Sequence, residues 1–150
     1  MLFRKMLFRE ADRSPAESLG MLVGRVLLSA LFIWAGYGKL MTAAATKAAF
    51  AKMGLPLPDL AYLVAVVVEL GGGLLLLVGL FTRPVAVALG LWCIVTALVA
   101  HTNFADRNQA IHFMKNVTAA GGFAYVAALG AGLYSLDARL FRRRRLSIKI

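Results

Sequence analysis

The fold is decided by residues 60–100, which read LAYLVAVVVELGGGLLLLVGLFTRPVAVALGLWCIVTALVA. This stretch holds two apolar runs, 60–81 and 84–101, that meet at the short polar turn Thr82-Arg83-Pro84. Each run is close to the ~20 residues that an α-helix needs to cross the ~30 Å hydrocarbon layer of a bilayer. Because the backbone must satisfy its own hydrogen bonds inside lipid, the stretch predicts a tight antiparallel pair of membrane-spanning helices.

Two further apolar runs lie on either side of this pair, at about 20–39 and 115–136. None of the four runs alternates between apolar and polar residues as a barrel strand does. The chain is 61% hydrophobic and 16% charged, whereas soluble domains have roughly 45–50% apolar and about 25% charged residues. The sequence therefore predicts an all-α membrane protein. It would be one domain over residues 1–150, folded as a four-transmembrane-helix up-down bundle between basic tails at about 1–18 and 138–150.

Basic residues predict the orientation of the bundle. The chain has 17 Lys and Arg against 7 Asp and Glu, which gives a net charge of +10. Eleven of the basic residues fall on the side that holds both tails and the 82–84 turn, and five fall on the opposite side. The positive-inside rule then places both termini in the cytoplasm. Since the charge borders apolar runs, we expect the lipid bilayer to be the partner and expect no nucleic-acid binding.

The first outer connection, at about 41–59, predicts a short helix on the membrane surface. Thr42 is placed to cap this helix, and Gly54 is placed to end it. Phe50 and Met53 share one face of the helix, which favours an interfacial position.

Small residues indicate where helices pack, because close approach of backbones drives helix association in lipid. The first run has two glycines one turn apart, and the fourth has an unbroken ridge of small residues. Tight packing inside the bundle is one interpretation of this pattern, and the seam of a homo-oligomer is the other. The small residues are Gly20, Gly24, Gly36 and Gly38 in the first run, Gly71, Gly72 and Gly73 in the second, and Ala120, Ala124, Ala128 and Gly132 in the fourth.

Seven polar residues in or beside the apolar runs are the candidate site residues. They are Arg25, Lys39, Glu69, His101, Lys115, Asn116 and Asp137. Such residues are costly in hydrocarbon and usually face the interior of a bundle. From the rise per residue, Glu69 lies roughly 13 Å from the outer end of its helix, near the bilayer middle. We therefore predict a column of polar residues through the bundle. In its cytoplasmic half Arg25 would pair with Asp137 or Glu69.

Each candidate also has a purely structural interpretation. Lys39 and Lys115 would snorkel to the headgroups. Glu69 would be a protonated acid that makes one structural hydrogen bond, and His101 would be a polar residue at a helix end. Trp92 lies near mid-span and departs from the usual placement of aromatic residues at the membrane interfaces.

The sequence encodes no cofactor motif and predicts no metal site. His101 and His112 lack an obvious third ligand. Cys93 is the single cysteine, so the chain can form no internal disulfide or dithiol pair, and we interpret Cys93 as a packing residue.

A series of motifs in order along the chain resembles the DoxX family of small bacterial membrane proteins. The motifs are Gly24-Arg25, Phe32-Ile-Trp-Ala-Gly-Tyr-Gly-Lys-Leu40, Met53-Gly-Leu-Pro56, Glu69-Leu-Gly-Gly-Gly-Leu74, Gly79-Leu-Phe-Thr-Arg83, His101, Phe113-Met-Lys-Asn116, Gly121-Gly122 and Ser135-Leu-Asp137. The resemblance implies a multi-pass protein of the bacterial cytoplasmic (inner) membrane. It also implies quinone as a cofactor and a redox partner protein, since relatives include the large subunit of a thiosulfate:quinone oxidoreductase. The family's recurrent polar residues map onto the seven candidates.

Three functions follow from the sequence and the resemblance. The first is a quinone-linked or redox-stress membrane subunit, in which a partner oxidoreductase supplies electrons and the polar column binds a quinone-like ligand or small oxyanion. Arg25 and Lys39 would then offer charge, Glu69 a proton, and His101 or Asn116 a hydrogen bond. The second is a small-molecule or proton-coupled transporter, for which Glu69 at mid-membrane is the main feature. The third is a non-catalytic scaffold. Whether the chain is itself an enzyme stays open, because its sequence contains no self-sufficient redox centre.

Overall fold

A computed structural model of the chain describes residues 13–140, so most of each predicted basic tail lies outside the described residues. Residues 136–140 are again helical. The main helices are α1 Pro15–Met41, α2 Ala43–Lys52, α3 Pro58–Val66, a π-helical turn Val67–Gly71, α4 Gly72–Val78, α5 Thr82–Ala100 and α6 Arg107–Leu129.

The all-α prediction is confirmed for residues 13–140, which contain helices and no strand. Three helices in this range are long and apolar enough to cross a membrane: Pro15–Met41, the continuous unit Pro58–Val78, and Thr82–Ala100. The fourth long helix, α6, packs chiefly against α5, but its first half is rich in polar residues. The complete four-helix bundle with cytoplasmic termini stays a prediction.

The chain order gives the helix assembly two distinct ends. The α2 end holds α2 and the 101–106 loop, and the tail end holds Arg13, the 79–82 turn and residues 130–140. α1 begins at the tail end, where Ser14 and Glu17 form a reciprocal capping box. At the other terminus of α1 the Thr42 hydroxyl donates to the Gly38 carbonyl at 2.9 Å. The predicted side-chain cap of α2 by Thr42 is therefore wrong, although the helix itself is present.

The fourth helix lies earlier in the chain than the predicted 115–136. It begins at Arg107, where the Asp106 carboxylate accepts from the Asn108 amide at 2.8 Å. It ends at Leu129 because Gly130 adopts a φ of 89° and because arginine side chains donate hydrogen bonds to its last carbonyls. Arg83 donates to the carbonyls of Ala127, Ala128 and Leu129. Cationic groups at a helix C-terminus also stabilise its dipole.

The core lies at mid-height, where Phe32 and Phe123 meet edge to face at 5.2 Å between ring centroids. Leu76, Leu89 and Cys93 complete this cluster and are fully buried or nearly so. The packing interpretation of Cys93 therefore fits its burial.

Only some of the predicted small residues lie at close helix approaches. A Cβ at Gly36 would lie 2.6 Å from the Leu70 nitrogen, so α1 packs on the π turn there. Gly20 and Gly24 instead have no atom within 4 Å of such a Cβ, and Ala124 and Ala128 are exposed. The predicted internal packing is therefore wrong for Gly20, Gly24, Ala124 and Ala128. It is confirmed at Gly36 and at Gly132, where a Cβ would lie 3.2 Å from the Ser18 Cα.

Candidate functional site

A cavity of about 350 Å³ opens at the α2 end, between α1, α2, the π turn, α5 and α6. We call it the α2-end pocket. Its apolar wall includes Phe32, Phe50 and Met53, and its polar wall is made by a set of charged, imidazole and amide side chains. The polar lining residues are Lys39, Glu69, Trp92, Thr96, His101, His112, Lys115 and Asn116.

An ion pair forms the floor of this pocket. The Lys39 Nζ atom lies 2.6 Å from Glu69 Oε2, and the Trp92 indole donates to Glu69 Oε1 at 3.1 Å. The side chains of Lys39 and Glu69 are 26% and 7% exposed. Both carboxylate oxygens therefore accept a hydrogen bond, one of them from a cation, as a buried carboxylate requires.

The backbone around Glu69 explains its position. Residues Val67–Gly71 form a π-helical turn inside the otherwise α-helical unit Pro58–Val78. Such a turn inserts one extra residue into the helix, and π turns are frequent at functional sites. The close approach of Gly36 to Leu70 holds the turn against α1. Glu69 consequently points to Lys39, one helix away, rather than into lipid.

Two histidines stack at the mouth of the pocket, with ring centroids 5.1 Å apart and planes inclined by 23°. His101 Nδ1 lies 2.7 Å from Gln109 Oε1, which can only accept, so Nδ1 carries the proton. His112 Nδ1 lies 3.1 Å from Lys115 Nζ, which can only donate, so that nitrogen is bare. Each ring is therefore held in place by a polar neighbour.

His112 lies before residue 115, where the predicted fourth span begins. Partial burial, reinforced by the Lys115 ammonium and by His101, lowers the pKa of His112 below its ordinary value. Lys39 and Lys115 outnumber the one carboxylate in the pocket. The pocket therefore favours a ligand that carries negative charge or electron-rich oxygens.

The tail end holds the other two candidate residues, and each of them forms hydrogen bonds with backbone groups. Arg25 is 1% exposed, and it donates to the carbonyls of Tyr134 at 2.6 Å and Leu76 at 3.4 Å. Asp137 accepts from the amides of Phe81 at 2.9 Å and Thr82 at 2.8 Å, where α5 begins. Arg25 and Asp137 thus lie at the same end of the structure, and a direct pair between them stays a prediction. Glu69 binds Lys39 in the α2-end pocket.

The seven predicted site residues therefore divide between two places. Five of them line the α2-end pocket, whereas Arg25 and Asp137 bind backbone at the tail end. Three partners were missed: Trp92, Gln109 and His112. The mid-span position of Trp92 was the available signal, because a buried indole needs an acceptor. The five pocket residues are Lys39, Glu69, His101, Lys115 and Asn116.

Comparison with known proteins agrees with the sequence motifs. Residues 20–102 match the family model described as DoxX. The inner membrane protein YqjF of Escherichia coli K12 is 40% identical over 131 residues, which cover 85% of this chain and 96% of the relative. The inner membrane protein YphA of the same strain is 36% identical over 136 residues, which cover 87% of this chain and 97% of the relative. No solved structure matches.

Proposed function

We propose, since this chain belongs to the DoxX family of inner-membrane proteins, that its α2-end pocket binds a quinone-type ligand. In this role the protein is the membrane subunit of a redox system whose partner oxidoreductase supplies electrons. Reduction of the quinone to the quinol consumes two electrons from that partner and two protons from water at the pocket mouth. The same proposal covers protection of the membrane against redox stress.

The chemistry of the pocket supports a ring that bears carbonyl groups. Ligand sites are mostly apolar, with a few polar groups placed to fix orientation. Here Phe32, Phe50 and Trp92 offer flat apolar surface, and Lys39 and Lys115 offer cationic donors. Charge-assisted hydrogen bonds to the carbonyl oxygens become stronger as a quinone gains electrons. The pocket would therefore bind the anionic reduced form more tightly than the neutral quinone.

The size of the pocket also limits the ligand. Its volume of about 350 Å³ lies near the lower end of the roughly 300–1,000 Å³ found for small-molecule sites. One ring with its substituents fits this space, and a long isoprenoid tail would extend into lipid.

The observation that carries the proposal is the floor of the pocket, where Glu69 holds Lys39 and Trp92 together. In that arrangement Glu69 acts as a counter-ion and positioning residue rather than as a proton donor. The ammonium of Lys39 remains partly exposed and can reach a ligand oxygen from a fixed place.

A transporter would need a passage from this floor to the tail end. Below the pocket, however, the fully buried rings and aliphatic side chains of Leu76, Leu89 and Phe123 fill the core. This packing favours a binding site that opens to one side over a transport pathway. The scaffold alternative differs from the proposal in one testable respect, because it requires no ligand.

Fluorescence of Trp92 provides the test. The chain has two tryptophans, and Trp34→Phe leaves Trp92 as the only indole. Quinones quench indole emission, so titration of the purified variant with a short-chain ubiquinone analogue measures binding directly. Saturable quenching supports the proposal, and quenching that rises linearly, as for free quencher in the micelle, contradicts it.

A matched pair of variants makes the titration specific to the pocket. Ala35 lines the pocket, whereas Ala30 lies exposed on the same helix. In the Trp34→Phe background, Ala35→Leu is expected to raise the Kd by at least roughly tenfold, a loss of about 1.4 kcal/mol in binding. Ala30→Leu is expected to leave the Kd unchanged. Equal effects of the two substitutions would place the ligand elsewhere.

A further inference from the structure

A second cavity, of about 730 Å³, runs along the tail half of the structure between α1 and α6. We call it the tail-end groove. Its walls are small and apolar residues, with Arg13 and Glu17 at its mouth. The apolar and small residues of the groove are Gly20, Met21, Gly24, Leu27, Leu28, Gly122, Val126, Leu129 and Gly130.

The groove exists because the two helices separate where glycines remove their side chains. A Cβ built on Gly20 or Gly24 would meet no atom within 4 Å. Nearer the middle of the bundle the helices come together, and a Cβ on Gly122 would touch Leu28 at 3.4 Å. No side chain of the described residues fills the space between these points, so another molecule must cover it in a membrane.

The length of the groove matches one leaflet of a bilayer. From Leu129 to Thr118, the first and last of its lining residues on α6 counted from the tail end, the rise per residue gives roughly 16 Å. Half of a ~30 Å hydrocarbon layer is about 15 Å. An acyl chain that enters beside Arg13 would therefore end near the bilayer middle, where the groove also ends.

Charge at the mouth indicates the headgroup. Arg13 holds the end of α6 by donating to the Leu129 carbonyl at 3.1 Å, and its Nε atom lies buried without a hydrogen-bond partner. Glu17 is occupied by its capping box with Ser14. Arg139 lies exposed at the same end of the structure. Basic side chains beside an apolar groove attract anionic lipids.

We propose that the tail-end groove binds one acyl chain of an anionic phospholipid, with the lipid phosphate at Arg13. The lipid covers the glycine surface that α1 leaves open and joins α1 to α6 at the end where those helices diverge. The groove is separate from the α2-end pocket and shares no lining residue with it.

Native mass spectrometry of the intact protein tests this site, with phosphatidylglycerol and phosphatidylcholine added to the detergent micelles. Gly24→Leu fills the groove, and Gly38→Leu is the matched control, because neither substitution meets an atom within 4 Å and both lie on α1. The wild type and the Gly38→Leu variant are expected to retain one phosphatidylglycerol, and Gly24→Leu is expected to reduce its occupancy roughly tenfold. Arg13→Gln is expected to remove the preference for phosphatidylglycerol over phosphatidylcholine.

Three results would overturn the proposal. The first is equal lipid retention by the Gly24→Leu and Gly38→Leu variants. The second is equal retention of the two lipids by the wild type, which would show that the groove binds hydrocarbon chains without regard to the headgroup. The third is a wild-type dimer that Gly24→Leu dissociates, which would assign the groove to a second copy of the chain.

Discussion

The ion pair between Lys39 and Glu69 should stabilise the fold far more than an exposed pair does. Removal of one partner of a buried pair costs about 3–5 kcal/mol, mainly because the other charge stays buried without compensation. Lys39→Met leaves the Glu69 carboxylate, 7% exposed, with only the Trp92 indole as donor. Because Lys39 itself is 26% exposed and partly screened, we expect the lower end of the range, about 3 kcal/mol.

Glu69→Gln should cost less, because its one amide oxygen still accepts from Lys39 or from Trp92, and only the other donor loses its acceptor. One lost hydrogen bond costs about 1 kcal/mol. In the double variant neither charge remains, so its loss should be smaller than the sum of the single losses. A coupling energy of about 2 kcal/mol is expected.

Unfolding in mixed micelles of a mild detergent and sodium dodecyl sulfate, followed by helical circular dichroism, measures these free energies. The exposed pair of Lys47 and Asp59 is the matched control. Its atoms also lie 2.6 Å apart, but its side chains are 40% and 81% exposed. The same cycle there, with Lys47→Met and Asp59→Asn, should give a coupling below about 1 kcal/mol. Equal coupling energies for the two cycles would refute the argument from burial.

Three further predictions concern the tail end and the orientation. Gly79→Ala should destabilise the protein by about 3 kcal/mol or more in the same unfolding assay, because a Cβ would clash with the Arg25 guanidinium and the φ of +68° disfavours a side chain. A wild-type unfolding midpoint would contradict this. Asp137→Asn keeps one oxygen acceptor for the amides at the start of α5 but loses the negative charge, so we expect about 1 kcal/mol of destabilisation. An unchanged free energy of unfolding in the same assay would argue against Asp137 as the cap of α5. In a cysteine-free background, a cysteine at Asn108 should react with an impermeant thiol reagent in intact cells. A cysteine at Ser147, which lies outside the described residues, should react only after lysis. Labelling at position 147 in intact cells would contradict the predicted topology.

Hydropathy predicted the helical class and four membrane spans, of which three correspond to helices long and apolar enough to cross a membrane, because those features depend on composition and length alone. The end of the fourth helix could not be predicted in the same way. The apolar run continues past Leu129, but the helix ends there because Gly130 adopts a positive φ and because Arg83, more than forty residues earlier in the chain, binds the last carbonyls. A basic residue counted for membrane orientation thus also helps to end a helix, and no local pattern reveals that contact.

The candidate site was predicted in its residue types but only partly in its pairs. The cost of polar side chains in hydrocarbon placed Lys39, Glu69 and His101 toward the interior, and all three line one pocket. The rise per residue located Glu69 by depth but took no account of the π turn, which redirects it to Lys39. The pairing of Arg25 with Asp137 rested on a common depth, which did not reveal that backbone carbonyls and amides at the turns bind both side chains.

The central claim, that the α2-end pocket holds a quinone through the floor built by Glu69, is tested most directly by the quinone content of the natively purified protein. The wild type and the Glu69→Gln variant would be purified from the same membranes in mild detergent, and bound quinone would be extracted and quantified by mass spectrometry. We predict a stoichiometric quinone in the wild type and roughly tenfold less in Glu69→Gln, which keeps a wild-type helical spectrum because it loses only about 1 kcal/mol. Equal quinone content in the two proteins, or none in the wild type, would contradict the account.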